Sequence, residues 1–334
     1  MKIAPYFSAI TIAGLVAITC PSGIAAEKRL ETPSPVSGRS LSDPVGILPA
    51  DVLARVKLLR ANLDLLRRYM GLLEAPQPKL QVTSAVPREV YSQALNLEMR
   101  ANRLAFEQVR IVRNQSLPVR GETIPADVFR LVDSALSSIL VVKQDMNIRA
   151  AIAEQVQSEQ TTPAEVFNAV VVAGTEINNL LQDRIAPSDV FQLLTSAVHI
   201  AASLHATIPG KRYLPDEPDF EPNKMPADVF LRLRRCFDMV SQLAQLKGIN
   251  TLEFSITDEV GLNVYPNDVS DMAALLVEEL RSVHGKFPNA RQPTHAYYPG
   301  KRFPSHVYQR AGLLEQILQD LIDEYAADSV SSDG

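Results

Sequence analysis

The stretch IPADVFRLVDSALSSILVV, residues 124–142, shows the pattern that decides the fold of this chain. It opens with an apolar residue, a proline and, two residues later, an acid, and apolar residues then recur three and four positions apart. Pro125 suits the first position of a helix, because an amide hydrogen there would have no intrahelical partner. The stretch therefore predicts an amphipathic helix of about 20 residues with one buried face.

The same helix start occurs eight times along the chain. The prolines lie roughly 38 residues apart, with one interval of roughly 24. Two residues after the proline, seven copies carry Asp or Glu, which is favourable at the positive end of the helix dipole, and His306 is the exception. The eight copies are LPADVL at Leu48, VPREVY at Val86, IPADVF at Ile124, TPAEVF at Thr162, APSDVF at Ala186, MPADVF at Met225, YPNDVS at Tyr265 and FPSHVY at Phe303.

Five further positions in every copy indicate a shared buried stripe, which we call the seam. Counted from each proline, offsets +3, +7, +10, +14 and +17 hold an apolar residue in all eight copies. The steps alternate between four and three residues, which keeps one stripe of a helix facing a partner. Only 46% of the chain is hydrophobic, so chance does not explain this agreement. In the third copy the seam residues are Val128, Val132, Ala135, Ile139 and Val142.

The spacing predicts an all-α, eight-helix repeat array in which each unit has one helix and one return loop. Most of the loops are long enough to run back along a whole helix, so that parallel neighbours are possible. The array is either a solenoid-like stack or a bundle. We favour the stack, because units with a single shared seam cannot bury it alone.

The beginning of the chain is typical of a secretory signal peptide. Residues 1–26 contain Lys2, an apolar stretch over 7–18 and small residues before position 27. The sequence therefore predicts a periplasmic or secreted protein without a transmembrane segment, since the apolar stretch is too short to span a bilayer. An alternative is a lipoprotein signal at Cys20, which would leave the protein anchored to a membrane.

Composition shifts predict the remaining organisation. Residues 207–224 are rich in proline and acids and are the best candidate for a boundary between helix groups. Leu252, Phe254 and Ile256 alternate with polar residues and predict a brief strand. The predicted segments are a flexible linker over 27–46, helical repeats 1–5 over 47–206, the linker over 207–224, repeats 6–8 over 225–327 and a disordered tail over 328–334.

Composition and motifs also narrow the class of function. A net charge of −5 argues against nucleic acid as a partner. The motifs of common hydrolases, phosphate loops and zinc sites are absent from the sequence, so we predict no catalytic residues, cofactor or metal site. Cys236 follows several arginines, which would activate a thiol, but its +10 offset predicts a buried core residue instead.

The clearest repetition outside the seam is PGKRY at 209–213 and PGKRF at 299–303. Pro-Gly predicts a turn that presents Lys, Arg and an aromatic residue. The aromatic residue either packs on the next helix or, with the cations, contacts an anionic partner such as a polysaccharide, a lipid head group or an acidic protein. The candidate binding residues are Lys211, Arg212, Tyr213, Tyr297, Tyr298, Lys301 and Arg302.

The sequence contains helical repeats and no recognisable group of catalytic residues. It therefore favours a non-enzymatic interaction scaffold or accessory factor of the bacterial cell envelope. The expected partner is a protein or an anionic envelope component. The alternative is a helical small-molecule-binding protein or an atypical hydrolase. Its pocket would lie between the two helix groups, near the linker at 209–226.

Overall fold

The computed structural model describes residues 46–116, 122–155, 157–158, 160–182, 184–256 and 263–332, with side chains up to residue 327. These residues are mostly helical, which confirms the all-α class. The predicted signal peptide, Cys20 and nearly all of the predicted N-terminal linker lie outside the described residues. The elements are α1 (Pro49–Tyr69), β1 (Leu80–Ser84), α2 (Pro87–Val109), α3 (Pro125–Asp145), α4 (Pro163–Leu180), α5 (Pro187–His205), α6 (Pro226–Gln245), β2 (Glu253–Ile256), α7 (Pro266–His284) and α8 (Pro304–Ser332).

Each helix begins at a motif proline, and the residue two positions later caps it. In α1, for example, the backbone N–H of Leu48 donates to Oδ2 of Asp51 at 2.8 Å. The acids of the next six helices accept in the same way at 2.7–3.0 Å. In α8 the N–H of Phe303 donates to Nδ1 of His306 at 3.1 Å, so the one departure from the motif keeps the capping function. The acid therefore satisfies an amide at the helix start in addition to its effect on the dipole.

The predicted seam is the core of the molecule. All five seam positions of all eight helices are buried, and none is more than 4% exposed. Cys236 occupies one of them at 0% exposure, which confirms its predicted burial. The 3.6-residue periodicity of the sequence thus identified the packed face of every helix.

The helices form two sets of four, which we call the first bundle (α1–α4) and the second bundle (α5–α8). In each bundle the four motif prolines, with the valines three residues later, line one small apolar recess. Because four helix starts meet at the same recess, the four helices of a bundle run parallel. In the first bundle α1 and α2 each pack against α3 and α4, and in the second α5 and α6 each pack against α7 and α8. Each set closes on itself, and a solenoid-like stack is not confirmed.

The composition predicted a boundary between the fifth and the sixth helix, whereas these contacts place the boundary between the fourth and the fifth helix. The first bundle ends at α4, so the short connection over 181–186 lies between the bundles. Residues 207–224 instead form a return segment along α8: Nε2 of Gln309 donates to the carbonyl oxygen of Pro218 at 2.8 Å. Proline suits such an extended segment because it needs no amide partner. Helix α8 itself continues to Ser332, into the predicted tail, since neither Gly nor Pro interrupts it after Gly312.

The two bundles meet at a junction formed mainly by α2, α4 and α7. Along α2, Arg88 pairs with Glu279 and Arg100 pairs with Asp271, so α2 and α7 run antiparallel. Strands β1 and β2, one from a return segment of each bundle, form an antiparallel pair in which Leu80 lies opposite Ile256. The predicted strand is therefore confirmed, and it joins the two bundles. In the described part of the chain no helix combines the length and apolarity needed to cross a bilayer.

Truncating a seam residue should destabilise the fold far more than truncating its exposed neighbour. Leu233 is 0% exposed and Leu231, on the same helix, is 46% exposed. We expect L233A to lower the free energy of unfolding by about 2–5 kcal/mol, because it leaves a cavity in the core. L231A should change it by less than about 0.5 kcal/mol. Urea unfolding followed by circular dichroism measures both, and similar losses for the two variants would contradict the assigned core.

Candidate functional site

The first PGKR turn, residues 209–213, follows α5 and is held by contacts within the chain. Nζ of Lys211 lies 2.9 Å from Oδ2 of Asp320 in α8, and the Arg212 guanidinium lies 2.7 Å from Oδ1 of Asp216. The Tyr213 hydroxyl donates to the carbonyl oxygen of His199 at 3.2 Å. Both cations of this turn thus already face a carboxylate.

The second turn, residues 299–303, precedes α8 and is more open. The backbone N–H of Arg302 donates to Oγ of Ser188 at 2.9 Å, and its guanidinium lies 4.8 Å from the ring centre of Phe191. Tyr298 packs edge-on against the same ring at 6.1 Å. Tyr297 is 76% exposed, and Lys301 is also exposed. This turn therefore presents a cation and an aromatic ring to solvent.

The structure does not bring the two turns together. The first turn contacts α8 at Asp320, whereas the second lies at the start of the same helix, next to Phe303. Nearly five helical turns, about 25 Å, separate those two positions. The cations of the two turns thus lie apart, although the Tyr213 hydroxyl donates to Oγ1 of Thr294, three residues before Tyr297, at 3.4 Å.

The second turn borders an exposed apolar surface at the start of the second bundle, which we call the aromatic end. Phe303 is 64% exposed and Met225 is 63% exposed, and each precedes a motif proline. Phe220, 48% exposed, contacts the His306 ring at 5.1 Å, and Phe303 stacks on that ring at 5.8 Å. Tyr265, 46% exposed, also precedes a motif proline of this bundle. Exposed aromatic and methionine side chains grouped in this way are typical of a protein-binding surface.

The first bundle provides an internal comparison for the aromatic end. At the corresponding positions it carries Leu48, Val86, Ile124 and Thr162. Leu48 is half-buried, and the exposures of Val86 and Ile124 are 38% and 42%. The helix start therefore does not require large exposed aromatic residues, and their presence on the second bundle alone needs a reason other than the fold.

A pocket of about 580 Å³ opens at the junction between the bundles. It differs in place from the pocket expected near the linker at 209–226, because the junction involves the return segments that carry β1 and β2. Its apolar lining includes Phe237 and Phe254, and its charged lining includes Glu89, Arg234 and Asp238. Its volume falls in the range of small-molecule sites.

A buried polar network crosses the junction at some distance from this pocket, about three helical turns along α2 from Glu89. Nη2 of Arg100 in α2 lies 2.6 Å from Oδ1 of Asp271 in α7, and both side chains are buried. Nδ2 of Asn267 donates to Oδ2 of Asp271 and to Oγ1 of Thr175, each at 2.9 Å. Burial raises the pKa of Asp271 from its ordinary value, while Arg100 opposes that rise. The network joins α2, α4 and α7, and each buried charge has a partner.

A second set of charged groups at the junction lies near the start of α2. Nη2 of Arg88 lies 3.2 Å from Oε1 of Glu89 and 2.9 Å from Oε2 of Glu279, and both carboxyls are fully buried. Burial, and then the Glu279 charge, raise the pKa of Glu89 to about 8. Two carboxyls thus share one guanidinium.

A further pocket, of about 420 Å³, lies between α1 and α4 in the first bundle. Arg60 binds Glu176 through Nε and Nη2, with Nη2 2.8 Å from Oε1. Three basic and three acidic residues line the pocket, so it favours neither anions nor cations: Lys57, Arg60, Arg67, Asp64, Glu74 and Glu176.

The reactive-thiol interpretation of Cys236 is not supported. Burial raises the pKa of its thiol to about 12, and Sγ lies 3.6 Å from the carbonyl oxygen of Ala311. Arg232 and Arg235 lower that pKa, but burial outweighs them, and both pair with Glu315, whose charge raises it. Among the described residues, no group of three or more His, Cys, Asp or Glu side chains converges as a metal site would require.

Comparisons with known proteins give no guide to function: no family model, no curated protein and no solved structure matches this chain.

The junction residues were not predicted from the sequence, although α7 contains a signal for them. Besides its seam, α7 buries Met272, Ala274, Leu275 and Val277, so it is apolar on more than one side. A helix that is apolar on several faces is expected to be surrounded by others. The polar residues of such a helix, Asp271 and Glu279 among them, are then candidates for buried contacts.

Replacing Gly174 should destabilise the junction, although alanine usually stabilises a helix interior. A Cβ atom at this position in α4 would lie 2.6 Å from Nη1 of Arg100 and would displace the guanidinium from Asp271. We expect G174A to lower the free energy of unfolding by about 1–3 kcal/mol, because a buried pair is broken. Helix propensity alone would raise it by about 1 kcal/mol.

The control for this prediction is G285A at the end of α7, where a Cβ would lie 3.4 Å from the nearest backbone oxygen. Urea unfolding of both variants provides the measurement. A stability gain in G174A would show that the Arg100 contact does not constrain this position.

Proposed function

We propose that this protein is a non-enzymatic interaction scaffold of the bacterial cell envelope that binds a protein partner through the aromatic end. Eight helix-and-return units of one repeat type build the scaffold, and the unit starts differ in the side chains that they expose. The proposal includes export through the signal peptide expected over residues 1–26.

The observation that carries this proposal is the contrast between the two bundle ends. Both ends are built by four Pro-x-x-Val helix starts around the same kind of recess. The second carries Met225, Tyr265 and Phe303 where the first carries aliphatic residues or threonine. Covering a large apolar side chain removes its surface from water, which is favourable. A group of such side chains left exposed is therefore typical of a surface that a partner covers. Lys301 and Arg302 border this surface and would add polar contacts at its rim.

A small-molecule-binding function is the second candidate, and the junction pocket favours it. Its volume of about 580 Å³ fits a small ligand, and its lining includes the exposed charged residues Arg234 and Asp238. A thermal-shift screen against envelope metabolites tests it: a ligand whose stabilisation is lost in a pocket variant such as D238A, but kept in the distant variant I124S, would support this function.

Photo-cross-linking from single positions tests the main proposal. A photoreactive amino acid placed at Phe303 in the producing cells should give a discrete cross-linked protein, and the same amino acid at Ile124, the matched position of the first bundle, should not. F303S with M225S should then weaken binding of the identified partner by at least about 10-fold, since exposed aromatic anchors often contribute about 2 kcal/mol each.

I124S is the control for these substitutions and should leave the affinity unchanged. Equal cross-linking from both ends would contradict the assignment of the aromatic end. Recovery of lipid alone from position 303, with equal binding of wild type and variant to vesicles, would replace the protein partner with a membrane surface.

A further inference from the structure

Two fully buried carboxyls meet at the junction, and each comes from a different bundle. Glu89 caps α2, since its Oε2 accepts the N–H of Val86 at 2.8 Å, and Glu279 projects from the antiparallel α7. The same nitrogen, Nη2 of Arg88, donates to both carboxyls and to the carbonyl oxygen of Asn250 at 3.1 Å. The contact between the bundles here consequently depends on one guanidinium and two acids.

The charges at this contact do not balance, in contrast to the neighbouring pair. Arg100 and Asp271 are one cation and one anion, whereas Arg88 faces two carboxyls. No donor from the described residues reaches the buried Oε1 of Glu279, and a proton on the Glu89 carboxyl would supply one. A proton shared by the two carboxyls would therefore balance the charge and complete the hydrogen bonding.

Three other carboxyls and two guanidiniums lie near the pair. Glu278 precedes Glu279 in α7, and burial, partly offset by Arg281, raises its pKa from the ordinary value. The pocket that Glu89 lines also receives Asp238 and Arg234 from α6 and Glu253 from β2. Carboxyl groups thus outnumber guanidinium groups among the charged residues near Glu89 and Glu279.

We propose that Glu89 and Glu279 form a proton-dependent clasp between the two bundles. With one proton shared under Arg88, the carboxyls hold α2 against α7. When that proton leaves, two buried negative charges face each other and the junction loosens there. The Arg100–Asp271 pair lies three helical turns along α2 and keeps its balanced charge, and the β1–β2 pair still joins the bundles. The contact between α2 and α7 therefore loosens at the Glu89 end only.

The direction of the pH effect follows from the raised pKa of Glu89, about 8 in the folded chain against an ordinary value of 4.5. Between those values the folded state binds more protons than the unfolded state, so stability falls as pH rises. Below about 4.5 both states carry the proton, and above about 8 neither does, so this contribution levels off outside that window.

The test compares glutamine variants of the full chain between pH 5 and pH 9. Glutamine at position 89 keeps an oxygen for the Val86 N–H and mimics the protonated acid without titrating. The melting temperature of wild type should fall steadily with rising pH, and that of E89Q, E279Q and the double variant should fall much less. The matched control is E165Q, because Glu165 is an exposed capping glutamate with the same bond, 2.7 Å from the Thr162 N–H. E165Q should follow wild type.

Spin labels measure the junction itself and separate opening from general destabilisation. Labels on R130C near the start of α3 and Q242C near the end of α6, both exposed positions at the Glu89–Glu279 end, report the distance between the bundles there. The buried Cys236 stays unlabelled. The distance distribution should broaden between pH 6 and pH 9 in wild type but not in E89Q or E279Q. An unchanged distribution in wild type, or equal pH dependence in wild type and both variants, would overturn the clasp.

Discussion

The parallel direction of the helices within each bundle is the constraint on which the rest of the structure depends. Four parallel helices place four positive dipole ends side by side, where they repel one another. An acid at each start, or His306 in α8, accepts a backbone N–H there, and in seven helices its charge offsets the dipole. Parallel neighbours also require a return segment as long as a helix. These segments carry β1 and β2 and the PGKR turns, so most candidate surfaces result from the same constraint.

Local patterns in the sequence predicted the helices and their buried faces, because proline, acid and seam all act within one helix. The order of packing could not be predicted in the same way. Each helix presents a similar seam, so a stack and a closed bundle bury the same residues. The junction depends on single contacts between distant segments, such as the fit of Arg100 against Gly174. Of the predicted binding residues, Lys211, Arg212, Tyr297 and Lys301 are exposed, and Lys211 and Arg212 also pair with acids of their own chain.

In both bundles the first two helices pack against the last two, but the bundles differ in some of the side chains outside the shared seam. Their seams and recesses are equivalent, and these shared features account for stability. Two differences concern contacts outside a single bundle, namely the aromatic end of the second bundle and the polar residues of α7, which has neighbours in both bundles. In a chain whose eight helices share one start motif and one seam, such departures are where specific contacts with partners or between bundles can arise.

The return segments also affect how the chain reaches its native state. Pro49 and Pro125 line one recess, although the whole of residues 50–124 separates them, and α1 packs on α3 and α4 while α2 lies between them in sequence. Helical bundles with short loops fold fast because their contacts are local. Here most helix pairs are distant in sequence, so a larger loss of loop entropy precedes the first stable packing. An all-helical protein of this topology is expected to fold with the slower kinetics that usually distinguish β-sheet proteins.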